Sequence, residues 1–200
     1  MDWAFGRTWD GDDLGNTVKS NCGPAAFINW MKMMAAKTRA DLSFDESDAD
    51  ALYRRMGYDG TPETDNGVVL MDLLDECTRA PVAGVTIDCF FVIGFADPVH
   101  LATACQIAPL IVGAELPMSC QNTDMWNGKI AEDTTIWGPH AYLVHSFSPG
   151  GCNGKSWGQP VFNTPEFQIK RWRECFLPIS QELMVPGTDV LKLLNLAKLL

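Results

Sequence analysis

The chain has 200 residues, 46% hydrophobic and 20% charged, which is enough for one sizeable core and excludes a disordered or fibrous protein. Its formal net charge of -10, with no basic run longer than Arg54-Arg55, excludes the basic stripe of a nucleic-acid binder and would repel an anionic membrane. The seven cysteines (22, 77, 89, 105, 120, 152 and 175) include no C-x-x-C pair, which argues against structural zinc, and their odd number fits free thiols in a reducing compartment.

Residues 1–20 are rich in glycine and aspartate and read as ordered coil; the acidic start predicts no secretory signal. Asn21-Cys22-Gly23-Pro24 leads into a largely buried helix over 25–38, with Pro24 suited to a first helical turn. Residues 42–56 are helical in their later part and stop at Gly57, and a turn-rich link over 58–66 precedes a third helix over 68–78. Within that link, Thr64-Asp65-Asn66-Gly67 reads as a tight turn capping the third helix, or as part of a cleft wall. The chain then changes character: strands are predicted over 82–87, 90–93, 110–114, 141–147 and at Val161-Phe162, with a short helix over 99–106. Thr164-Pro165-Glu166 opens a further helix. Helices first and strands later predict an α+β fold in which a helical lobe, about 20–80, packs on a β lobe, about 81–180, within one domain over 1–185. Residues 186–200 are leucine-rich and predict an apolar helix docked on its own domain, on another copy, or on a partner. No apolar stretch is long enough to span a bilayer.

Two residues stand out chemically. Cys22 lies at the entry to a helix, where unsatisfied amides stabilise a thiolate or an oxyanion, and Gly23 allows close backbone approach. His140 opens the strand-like run His140-Ala141-Tyr142-Leu143-Val144 and is placed to accept a thiol proton. His145 reads as a packed or surface residue and His100 as structural or exposed. Trp126, Trp137 and Trp157 are candidates for an aromatic wall, with Trp157 the one to shield the site. Nothing in the pattern calls for a metal or cofactor.

Asn21-Cys22-Gly23-Pro24, Gly138-Pro139-His140-Ala141 and Lys155-Ser156-Trp157-Gly158, in that order, resemble the three blocks of papain-like cysteine peptidases. The resemblance implies a cysteine heading the central helix of one lobe and a histidine on a strand of the other. It also implies an oxyanion donor six positions before the cysteine, here Asn16, and an orienting asparagine before a Ser-Trp-Gly unit. Leu14-Gly15-Asn16, Gly57-Tyr58, Thr64-Asp65-Asn66-Gly67 and Trp126 extend the likeness to the papain-like proteins of tailed phages and prophages. Lys155 departs from the pattern: it stands at the asparagine position and cannot accept an imidazole N–H. Asn153 is taken as the orienting residue, with Ser156 or a backbone carbonyl as alternatives.

The resemblance thus implies a thiol hydrolase, a cysteine peptidase or amidase acting on peptide or isopeptide bonds. The alternative is a catalytically weak or inactive phage structural or accessory protein working through protein–protein contacts, and an acyltransferase would use the same pair. The expected partners are a peptide or protein substrate, and a second copy or a particle component through the tail. No nucleic acid or membrane is expected, and the expected location is the host cytoplasm or the phage particle.

Overall fold

The computed structural model describes residues 12–38, 41–122, 125–184 and 189. Helix α1, Cys22–Thr38, buries nearly every residue of its first three turns, including Phe27, Ile28, Trp30, Met31, Met33 and Met34. A helix apolar all round belongs in an interior, and α1 lies between the sheet and two further helices. The indole N–H of Trp30 donates to Pro109 O (3.1 Å), fixing the helix to the chain entering the sheet.

Helix α2, Glu46–Arg55, starts at a reciprocal cap in which the Asp45 carboxylate accepts from Ser47 N–H and Asp48 accepts from Asp45 N–H. Its apolar side is Ala49, Leu52 and Tyr53. Helix α3, Leu70–Arg79, turns Leu70, Leu73, Leu74 and Cys77 inward. Its N-cap is Val69 with no side-chain hydrogen bond, so the preceding Thr64–Gly67 turn does not cap it.

The rest of the chain builds one seven-stranded sheet from β1 (Cys89–Val92), β2 (Leu110–Pro117), β3 (Met125–Trp126), β4 (Ile136–Ser148), β5 (Gly151–Ser156), β6 (Gln159–Asn163) and β7 (Trp172–Ile179). The strand order is β1-β7-β2-β4-β5-β6-β3, antiparallel throughout except for the short β3–β6 pair. Helices α4 (Pro98–Ile107), α5 (Gly128–Ala131) and α6 (Pro165–Arg171) fill the connections. The α+β class, with a helical lobe against an antiparallel β lobe, is as the sequence predicts.

Two further local expectations change. Residues 82–87 are not a strand: Ala83 (φ 48°) and Gly84 (φ 82°) make a tight turn closed by a single Val82–Val85 bridge. Strands β3, β5 and β7 were not anticipated. In β5 a Cβ on Gly151 would lie 2.1 Å from Asn163 O and one on Gly154 2.3 Å from Leu143 O, so the strand runs where only glycine permits the backbones to close up. The predicted helix over 186–200 lies outside the described residues.

Candidate active site

The first turn of α1 carries Cys22, three residues earlier than the sequence pattern placed the helix start. Ala25 N–H donates to Asn21 O (2.9 Å), and the buried Asn21 side chain donates to Leu14 O (2.9 Å), tying the helix entry to the preceding loop. Gly23 is required by packing: a Cβ there would sit 2.6 Å from Val68 Cγ2 and 3.3 Å from Leu73 Cδ2. Burial pushes the Cys22 thiol up from its ordinary pKa, against the opposing pull of three backbone N–H groups, of Ala141, Gly23 and Cys22 itself, aimed at the sulfur.

The segment beside this entry is held by a polar strap. Asp65 Oδ1 accepts from Ser20 N–H (2.8 Å) and from the Tyr53 hydroxyl (2.8 Å), while that hydroxyl accepts from Gly67 N–H (2.9 Å). Burial, and then the hydrogen bond to Asp65, push the Tyr53 phenol up to about 12. Residues 66–68 thereby become one wall of the cleft. The loop carrying Asn16 is fixed through Lys19, whose ammonium pairs with Asp50 (2.9 Å) and Glu46 (3.3 Å) on α2. Asn16 spends one amide hydrogen on Lys19 O (3.3 Å), and its side chain borders the cleft with Cys22.

His140 comes from the opposite side, on β4 paired with Ala114 of β2. It is 8% exposed, and its Nε2 lies 2.7 Å from the hydroxyl of Ser156, itself 4% exposed. Trp157 stacks on the ring at 4.1 Å and 19°. The reason lies in the β5–β6 hairpin: Ser156 pairs with Gln159, leaving Trp157 (φ 47°) and Gly158 (φ 69°) as a two-residue loop with both φ positive, the type I′ pattern. That turn folds the indole over the imidazole. Burial draws the His140 pKa down to about 3, so the ring is neutral at working pH.

The histidine's partner is therefore Ser156, one of the alternatives, and not Asn153. A register shift between Val144 and Ser146 sets Asn153 opposite Ser146, and its amide donates to the Ser146 hydroxyl (2.9 Å). Lys155 turns away, with its ammonium 3.3 Å from Gly158 O across the turn. His145 is buried further along β4, and His100, on α4, lies 3.8 Å from Asp97. Of the three candidate tryptophans, Trp126 is fully buried and packs under Trp157, so it belongs to the core. Trp137 is 45% exposed and lies against Trp157 at 5.3 Å.

Cys22, His140 and Asn16 border a single open cleft of 730 Å³ at the junction of helical and sheet lobes. A second hollow of 640 Å³ continues beyond Trp137 and Trp157 and also reaches Asn16. Glu174 lies in the cleft and was not singled out from sequence; a charged pair, Arg173-Glu174, at the head of an apolar strand was its only signal. Among the described residues, no group of three or more His, Cys, Asp or Glu is placed to hold a metal ion, and no helix is long and apolar enough to cross a membrane.

No protein-family model and no curated protein matches the sequence. Solved structures do. A cysteine protease of Carica candamarcensis, in complex with E-64, is 16% identical over 89% of this chain and 96% of its own, with a TM-score of 0.64. Xylellain, a cysteine protease from Xylella fastidiosa, is 12% identical over 89% of this chain and 84% of its own, with a TM-score of 0.67. The bromelain protease from Ananas comosus is 13% identical over 89% of this chain and 97% of its own, with a TM-score of 0.60. At such identities the likeness speaks for architecture, and it agrees with the lobes, the sheet and the cleft: the chain has the papain-like fold.

Proposed function

We propose that this chain is a thiol hydrolase, a cysteine peptidase or amidase acting on peptide or isopeptide bonds. The observation that carries the reading is one cleft bordered by a cysteine at the N-terminus of α1 and a histidine on β4, with Ala141 N–H aimed at the sulfur. With Nε2 engaged by Ser156, the ring has Nδ1 left for the thiol. Both groups rest neutral, so the thiol proton passes to Nδ1 as sulfur attacks the carbonyl carbon. The oxyanion accepts from Cys22 N–H and the second Asn16 amide hydrogen. His140 then gives its proton to the leaving amine, and water, deprotonated by His140, cleaves the thioester to regenerate the thiol.

A second reading keeps the fold without turnover, as a phage structural or accessory protein. Lys155 at the position of an orienting asparagine favours it. The phage relationship and a host-cytoplasm or particle location rest on the order of sequence elements, and a particle partner or second copy for residues 186–200 rests on their leucine-rich composition.

A peptidyl chloromethyl ketone tests the main reading. One adduct is expected, on Cys22 by peptide mapping, together with hydrolysis of a mixed peptide library that is lost in Cys22→Ala. Labelling spread over several thiols with no turnover would favour the non-catalytic protein.

A further inference from the structure

The turn that carries Asp65 supplies Asn66 and Gly67 to the cleft wall, and it also reaches the oxyanion side through a single peptide group. Asn16 directs one amide hydrogen at Lys19 O (3.3 Å), and Ser20 N–H, the other end of the same Lys19–Ser20 peptide, donates to Asp65 Oδ1 (2.8 Å). In a planar trans peptide the N–H and C=O point in opposite directions. Holding the N–H therefore aims the carbonyl. The carbonyl in turn holds the Asn16 amide by one of its two hydrogens and leaves the other for the oxyanion.

Charge strengthens this link. A carboxylate at the N–H end of a peptide dipole makes a strong hydrogen bond there and turns the carbonyl at the far end into a better acceptor. Asp65 is itself held in place: the Tyr53 hydroxyl donates to the same oxygen (2.8 Å) and accepts from Gly67 N–H (2.9 Å), and Asp65 N–H donates to Pro62 O (3.3 Å). Lys19 anchors the loop in a different way. Its ammonium, paired with Asp50 and Glu46, fixes where the loop sits, but a long side chain with rotatable bonds leaves the plane of the following peptide free.

We propose that Asp65 is a positioning residue of the oxyanion site, acting on Asn16 through the Lys19–Ser20 peptide. This rests on the hydrolase reading, in which Asn16 donates to the oxyanion. Two reagents separate the role from general support of the fold. A peptide p-nitrophenyl ester acylates Cys22 through a tetrahedral oxyanion and releases p-nitrophenolate, whereas iodoacetamide alkylates the same sulfur by loss of iodide and builds no charge on oxygen. The ratio of the two rates is taken within each protein, so a general loss of thiol reactivity cancels. Asp65→Ala is expected to lower that ratio about ten- to a hundredfold, and Asp65→Asn, which keeps an oxygen for Ser20 N–H, to restore most of it. In an Asn16→Ala background the Asp65→Ala change should lower the ratio no further, because the group it orients is gone. Tyr53→Phe, which keeps the carboxylate but frees it from the phenol, should lower the ratio in the same direction by less, and it serves as the test should Asp65→Ala not fold. A ratio unchanged in these variants overturns the inference, as does a fall that repeats undiminished in the Asn16→Ala background. Hydrolysis of the peptide library is scored separately. A ratio that falls as expected in a protein that cuts no peptide upholds the inference and counts against the hydrolase reading; hydrolysis with an unchanged ratio does the reverse.

Discussion

His140 receives a hydroxyl at Nε2 from Ser156 and an indole face from Trp157, consecutive residues of one hairpin, and burial keeps its ring dry. A serine hydroxyl both donates and accepts, so it holds the ring while specifying its tautomer less strictly than an amide carbonyl would. Ser156→Ala should slow iodoacetamide labelling of Cys22 by about tenfold, in line with the loss of an orienting neighbour, while near-UV circular dichroism stays native and Ser156→Thr restores much of the rate. An unchanged rate in Ser156→Ala would assign the positioning to Trp157 alone. At this scale Cys22 and His140 were legible, because a cysteine before a buried helix and a histidine opening an apolar strand have chemical signatures. The choice between Asn153 and Ser156 was not, since the register shift after Val144 decides which side chain faces the histidine. Glu174 was hidden for a related reason: a charge in a strand reads as surface until the facing Gly113 is known.

Among the elements, the strap over the α1 entry concentrates its work on Tyr53. Its hydroxyl is donor to Asp65 and acceptor from Gly67, while Asp65 also holds Ser20 N–H. Tyr53→Phe removes two of these bonds without opening a cavity and leaves Gly67 N–H without that acceptor. The expected cost is about 1–3 kcal/mol, seen as a lower urea midpoint at constant m-value. A midpoint within error of wild type would mean that the wall at 66–68 is held by packing alone. Helices α1 to α3 were readable because their signals are local: the apolar run of α1 after Pro24, the stop of α2 at Gly57 and the leucine spacing of α3. Strand β5, Gly-Cys-Asn-Gly-Lys-Ser, carries no β-branched residue, and its glycines answer to backbone atoms on β4 and β6 that no local pattern reveals. The 82–87 segment failed in the opposite direction: valines and isoleucine suggested a strand, but Ala83-Gly84 folds back on itself.

For the whole molecule, helices followed by strands made the two-lobed architecture legible from the chain, and the strand order was not, because β7 enters between β1 and β2 through pairings distant in sequence. That order is what sets β4 and β2 against the head of α1 and puts Glu174 within reach of the cleft. In the proposed function the two lobes bring Cys22 and His140 into one working pair. With burial holding the thiol up and the imidazole down, both groups rest neutral, and in the proposed mechanism the histidine acts as base when the sulfur reacts. Site-resolved alkylation of Cys22 by iodoacetamide from pH 5 to 9, in wild type and His140→Ala, measures this directly. Labelling about a hundredfold faster is expected in the wild type near neutral pH, with the two profiles converging at high pH as the thiol ionises unaided. Superimposable profiles, with labelling confined to high pH in both proteins, would contradict it.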